Sequence, residues 1–414
     1  MKKLTSLFLS VVVLLVFATG VQAHTVAPPV AVLLDKEQLT FDSGHAFIEK
    51  ATTLVPAEAF LEGLDYELRW DRANTTLRAS KGELSFVLET GKTEAMANNE
   101  AHQLKAAPKI VNGTLYAPLR FLAENAGYRI DWDAESRAAA LALQDNKGFF
   151  WKVEKDGVEL YLLGSIHVGN DEMYPIRPEL NVAYANSDHL VLEINMAAPM
   201  DEQTMKELQK KYMLYDDNTT LPDHIDAEMY RQIQTILKEN GAPETFLDTF
   251  KPWMVYISLD NMKSRLGGFE AGLGIDMYFA QKATASGKSI LELESHDSQY
   301  SQFNHFSDGL IASMIKEQLE TFHQPDNGTE TLADMWRSGD EAALAGMLES
   351  MKEIPEYYKT TIIDRNAGML EKIEGYLGDE KKETYFVIAG SFHMIGKDGI
   401  VNALKEKGYT VTRL

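Results

Sequence analysis

The chain has 414 residues, 45% hydrophobic and 25% charged, with 28 Gly and 13 Pro. That balance excludes collagen-like, low-complexity and largely disordered protein, and the length suggests two or three domains with a sizeable core. The 62 acidic residues exceed the 40 basic ones, giving a formal net charge of -22, a surface that repels phosphate backbones and argues against nucleic-acid binding. The absence of cysteine excludes disulfides, thiolate catalysis, Cys-ligated zinc and iron–sulfur clusters.

At the N-terminus, Met1-Lys2-Lys3 is followed by an apolar stretch from Leu7 to Ala18 and by Val21-Gln22-Ala23. A basic start, a short apolar run and a small-x-small pattern are what signal peptidase reads. The run falls short of the roughly 20 residues that a transmembrane helix needs. Residues 1–23 are therefore expected to be a signal peptide and 24–34 a linker. The mature chain is expected to be exported, secreted or surface-associated, in a bacterium.

Residues 35–143 contain two similar segments. Pro56, Tyr66 and Trp70-Asp71 are matched by Pro118, Tyr128 and Trp132-Asp133, each 62 residues on. Matched anchors at one offset indicate a duplicated unit. Each Pro is expected to open a short helix, over 57–64 and 119–126, because its missing N–H is no loss there. The Tyr-x-x-x-Trp runs are expected to be strands, with both Trp side chains in the core rather than in a ligand groove. The region resembles the copper amine oxidase N-terminal-like domain, on Ala117-Pro118-Leu119-Arg120-Phe121-Leu122-Ala123 and Gly127-Tyr128-Arg129-Ile130-Asp131-Trp132-Asp133. The resemblance implies a small α+β stalk that spaces or attaches a secreted protein to the cell surface, without copper chemistry. His45 and His102 stand alone, in keeping with that.

From residue 148 to 414 strand-like and helical patterns alternate, which predicts an α/β fold. Leu160 to Ile166 leads into His167, His189 to Leu192 into Glu193, and Thr384 to Phe392 into His393. In open α/β sheets ligands bind beyond the carboxyl ends of the strands, so three polar groups so placed can share one pocket. The two His segments match each other as Gly164-x-x-His167 and Gly390-x-x-His393, which suggests a duplicated α/β unit. Two imidazoles and a carboxylate are an ordinary ligand set for a divalent ion. Glu193 suits a third ligand or a general base, and the sequence leaves both roles open.

This half resembles the TraB/PrgY/GumN family, which includes the animal TIKI proteases. Besides the paired motifs and Glu193, the likeness rests on Lys251-Pro252-Trp253, Gly274-Ile275-Asp276, Leu293-Glu294 with Gln299, and Asp364-Arg365-Asn366. It implies an erythromycin esterase/ChaN-like fold and a metal-dependent peptidase using manganese or cobalt, with zinc as the alternative, on a peptide or protein substrate. Within it His167, Glu193 and His393 are the expected metal ligands. Arg365 is a candidate for stabilising developing negative charge, or equally for a helix salt bridge. Glu294, Asp276, Ser165 and Ser391 are secondary candidates; neither Ser has the Gly-x-Ser-x-Gly pattern of a nucleophile elbow.

No His-Glu-x-x-His zincin motif is present, and Gly287-Lys288-Ser289 lacks the upstream Gly of a P-loop. Helical spacing over 201–213, 227–240, 246–262, 342–351 and 360–376 predicts helices that cover the crevice. His305 and His323 show no paired spacing, and nothing in the sequence brings them to the site. Two further functions stay open: a protein that sequesters a peptide without cutting it, and a metal-free hydrolase using His167 and Glu193 as acid and base.

Overall fold

The computed structural model describes residues 29–198, 200–324 and 328–414. The signal peptide expected over 1–23 lies outside them. The described chain is mixed α/β: a sheet-rich N-terminal half and a helix-rich C-terminal half, each with its own apolar core.

In the N-terminal half, elements of the same kind stand 62 residues apart. The strand Thr52–Pro56 precedes the helix Ala57–Glu62, and the strand Thr114–Pro118 precedes the helix Leu119–Asn125. Each helix begins directly after a proline, Pro56 or Pro118, as the missing N–H predicts. The two strands pair antiparallel, Pro56 against Tyr116 and Leu54 against Pro118, so the two segments share a core with Phe60, Leu61, Leu119 and Leu122. One expectation fails here. Trp132 is 43% exposed rather than core, and it lines an open groove.

The C-terminal half is built on one six-stranded sheet. Its strands are β1 (Phe149–Lys155), β2 (Val158–Ser165), β3 (His189–Leu192), β4 (Ser289–Glu292), β5 (Tyr385–Gly390) and β6 (Thr410–Arg413). They lie in the order β4-β3-β5-β2-β1-β6. β4, β3, β5 and β2 are mutually parallel, while β1 runs antiparallel to both β2 and β6. The interior parallel strands read as apolar runs because helices cover both faces. Phe386 of β5, fully buried, packs against Phe150, Tyr184 and Phe279. The indole of buried Trp336 donates to the Gly164 carbonyl at 2.8 Å, satisfying an acceptor near the end of β2.

Two boundaries differ from the sequence reading. β5 stops at Gly390 rather than running to Phe392, because Ser391–Met394 turns into a short helix. The apolar run 246–262, with its helix expected to begin near Lys251-Pro252-Trp253, is helical over Pro252–Leu266: Pro favours the first helical turn and biases the residue before it away from helix. The helices Ala227–Glu239, Pro252–Leu266 and Asp308–Thr321 share a second core around Trp253, whose ring stacks on Phe303 at 4.7 Å. Among the described residues no helix is long and apolar enough to cross a membrane.

Candidate active site

The site lies at the carboxyl ends of the four parallel strands. Ser165 and Gly390 are neighbours in register at the ends of β2 and β5, so the two Gly-x-x-His motifs leave the sheet side by side. β3 ends one residue before Glu193, and β4 ends two residues before Glu294. Glycine at 164 allows this closeness, since a Cβ there would lie 3.0 Å from the Ser391 hydroxyl and from Phe149.

Glu193, only 5% exposed, is the hub. One of its oxygens lies 3.4 Å from His167 Nε2 and the other 3.2 Å from His393 Nε2. The Gly390 N–H donates to it at 3.2 Å, and Arg365 Nη2 stands 3.4 Å away. Desolvation alone would push this carboxyl up. The Arg365 charge and the His167 hydrogen bond outweigh it and hold Glu193 well below the ordinary carboxylate range.

The two imidazoles have different outer partners. His167 Nδ1 contacts Asp276 Oδ2 at 2.8 Å, and Asp276 is placed by the first turn of the helix Ile275–Ser286. Gly274 brings that helix start in; a Cβ there would sit 2.5 Å from the His167 carbonyl. His393 Nδ1 contacts Asn366 Oδ1 at 2.7 Å. Asn366 Nδ2 donates to the Asp398 carbonyl at 2.8 Å, which turns Oδ1 toward the ring. His393 therefore carries its proton on Nδ1 and presents a lone pair at Nε2. Desolvation resists charge on both rings. For His167 the charge and hydrogen bond of Asp276, with help from Glu193, prevail and raise it well above the usual range. For His393 desolvation wins over Glu193 and keeps the ring neutral.

Each predicted side chain has a definite place. His167, Glu193 and His393 converge, with Asp276 and Arg365 in contact with them. Arg365 is held through Nε and Nη2 by Glu294, at 2.9 and 2.6 Å, and with Glu193 it is tied to two carboxylates while also lining the neighbouring cavity. The Ser391 hydroxyl is spent on the Ser165 carbonyl at 2.9 Å. The Ser165 hydroxyl is buried without a hydrogen-bond partner. A cavity of about 760 Å³ opens beside Glu294 and Arg365 and is also lined by Gln302, His305 and Lys372. His323 instead faces Glu239. Sequence reasoning missed two functional groups, the Asn366 side chain and the Gly390 N–H. Asn366 stood within the quoted Asp364-Arg365-Asn366 run, yet a helical Asn has no pattern of its own.

The donor types, two imidazoles and a carboxylate, are those that ligate divalent cations. A lone pair on His393 Nε2 faces a carboxylate oxygen at 3.2 Å, an arrangement that is favourable when a cation is shared between them. Separations of 3.2 and 3.4 Å are close to those of two ligands on one ion with bonds of about 2.0–2.1 Å. A Cβ on Gly390 would point among these donors, 3.5 Å from His167 Nε2 and 3.7 Å from Glu193 Oε1, so glycine leaves that space clear. Outer acceptors on both Nδ1 atoms are the usual supports of metal-bound imidazoles. Among the described residues no group of three or more His, Cys, Asp or Glu side chains is arranged to hold a metal ion; His167 and His393 each meet Glu193, from opposite oxygens.

The TraB/PrgY/gumN family model matches residues 149–413 and the copper amine oxidase N-terminal domain matches 33–141. A protein named Metalloprotease TIKI homolog from Amphimedon queenslandica is 21% identical over 325 residues, covering 64% of this chain and 61% of that protein. Metalloprotease TIKI2 from Xenopus tropicalis is 21% identical over 337 residues, 68% of this chain and 63% of its own. The chain thus spans less than two thirds of these relatives' length. The uncharacterized protein YbaP of Escherichia coli is 21% identical over 250 residues, 59% of this chain and 87% of its own. With well over half of its length matched by one family model, the chain belongs to the TraB/PrgY/gumN family.

Proposed function

We propose that this protein is an exported, metal-dependent peptidase. The observation that carries the reading is the meeting of two outward-supported imidazoles on one buried carboxylate at the strand ends. The TIKI relatives, named metalloproteases, support it at family level. His167, His393 and Glu193 would hold the ion, manganese or cobalt by family resemblance. Once bound, it would supply an activated water and polarise the scissile carbonyl.

The chain's own residues prepare that chemistry. Asp276 and Asn366 fix the two ring planes and tautomers. Arg365 and the Gly390 N–H keep Glu193 ionised, the state that both a ligand and a general base require. Glu294 keeps Arg365 in place, so the guanidinium acts through Glu193. The cavity lined by Glu294 and Arg365 would hold a peptide beside the strand ends. The matched motif ends, adjacent and in register, are read as halves of a duplicated α/β unit of the erythromycin esterase/ChaN-like kind. Residues 1–23 as an export signal and the N-terminal half as a surface stalk complete the reading.

One observation favours a second reading. Both ring nitrogens of His167 contact carboxylates, which makes a protonated imidazole and hence a metal-free general acid beside Glu193. A single assay separates the two. The chain is stripped of metal and offered a mixed peptide library with and without manganese, and products are read by mass spectrometry. Cleavage with manganese alone is expected. Equal cleavage with chelator selects the metal-free mechanism. Tight capture of uncut peptide in both conditions overturns the hydrolase reading in favour of sequestration.

A further inference from the structure

Positions 62 apart in the N-terminal half have one instructive difference. Trp70 donates its indole N–H to Glu58 Oε2 at 2.7 Å, and the carboxylate closes that segment over its ring. The residue 62 positions after Glu58 is Arg120, which cannot accept a hydrogen bond. Arg120 turns to Glu124 at 2.6 Å instead, and Trp132 is left 43% exposed. Where the first segment is capped, the second opens into a groove of about 480 Å³, within the usual range for ligand pockets.

The groove's chemistry narrows its occupant. Trp132, Ile130, Phe121 and Ile48 make much of the lining apolar, and Ile48 is itself 39% exposed. Lys105 and Arg120 line it with one acidic residue, Glu124, which is already bonded to Arg120. The Arg120–Glu124 pair is neutral in sum, so Lys105 leaves the lining one net positive charge on a chain of net charge -22, a local reversal of sign that favours acidic ligands by complementarity. Aliphatic and aromatic walls suit an amino-acid side chain, while the lysine and guanidinium suit carboxylates beside it.

We propose that the groove around Trp132 binds an acidic peptide segment through an apolar anchor residue, at a site separate from the strand-end histidines. The site makes the N-terminal half a recognition module. The proposal stands independently of whether the C-terminal half cleaves peptides.

The test is fluorescence anisotropy on the full chain in chelator, which silences metal-dependent cleavage. The probes are fluorescein-labelled peptides with a central Leu, Phe or Trp flanked by Asp and Glu, and the same peptides flanked by Lys. Saturable binding of the acidic set is expected, with the Lys-flanked set at least about tenfold weaker. Arg120→Glu, which restores an indole acceptor at the position matching Glu58, is expected to weaken binding by at least about tenfold, as are Trp132→Ala and Lys105→Glu. His167→Ala is expected to bind as the wild type does. Unchanged binding by all three groove variants, no saturable binding of any peptide, or binding lost in His167→Ala would overturn the proposal. So would an acidic oligosaccharide binding where the peptides do not.

Discussion

His167 and His393 leave adjacent strands by the same motif and meet the same carboxylate, yet their surroundings are opposite. The His167 side chain is 59% exposed at the crevice and leans on a charged partner, Asp276. The His393 side chain is 6% exposed and leans on a neutral amide, Asn366. A motif can specify where an imidazole emerges from a sheet, but its charge state comes from what packs behind it. The pair thus places a readily charged ring at the mouth and a neutral one at the base, around one ionised glutamate.

The largest expected effect is loss of turnover when either ring is removed. His167→Ala and His393→Ala should each lower peptide cleavage by about 10²–10⁴-fold, the scale of a lost catalytic proton carrier or ligand. Stability should separate them. His393→Ala strands the buried Asn366 acceptor and should destabilise by about 1–3 kcal/mol. His167→Ala removes the more exposed pair with Asp276 and should cost less, about 0.2–1 kcal/mol. Equal losses in denaturant melts would break the contrast between mouth and base.

Exchanging the outer partners comes next. Asp276→Asn keeps the shape and removes the charge behind His167, and should weaken manganese affinity by about 10–100-fold with the fold intact. Asn366→Asp should be the more damaging swap for stability. The native amide donates to the Asp398 carbonyl, and a carboxylate would set oxygen against oxygen there. Calorimetric titration with manganese, paired with thermal melts, checks both. Identical behaviour of the two swaps would mean that the partners are interchangeable.

A smaller effect tests the scaffold beneath one motif. Trp336 supports the Gly164 carbonyl three residues before His167. Trp336→Phe keeps the aromatic filling but removes the indole donor to that carbonyl, for about 0.5–1.5 kcal/mol. His167 chemistry should suffer with it, and a variant as stable as the wild type would refute the support role.

How much of this was legible before any coordinates depends on the kind of signal. His167, Glu193 and His393 each follow an apolar run of strand length, so local pattern located them, and β3 matched to the residue as His189–Leu192. Arg365 and Glu294 are 71 positions apart, and nothing in either neighbourhood announces their bidentate pairing. Asn366 was invisible as a support because its role depends on the Asp398 carbonyl and the His393 ring arriving from another element. Trp132 was misplaced for a related reason. A strand aromatic is usually core, and its exposure follows from Arg120 standing where the matching position holds Glu58.

A third histidine sharpens the contrast at its low-energy end. His102 packs edge-on against Phe121 at 5.4 Å, and its Nε2 is buried with no hydrogen-bond partner. Desolvation is the largest influence and lowers its affinity for a proton, outweighing the attraction of Glu100. With the folded value depressed below the unfolded one of about 6.5, the unfolded chain binds the proton more tightly. Stability is then whole above about pH 6.5 and declines as the pH falls through that value toward the lower folded one. His102→Phe, which cannot be protonated, should flatten this part of the melting profile between about pH 7 and 5 while leaving cleavage at pH 7 unchanged. Half-buried, and with the Ala97 backbone rather than a side-chain amide as its partner, His102 would then show desolvation outweighing a neighbouring carboxylate away from the strand ends. An unaltered profile in His102→Phe would transfer the acid sensitivity to the strand-end cluster.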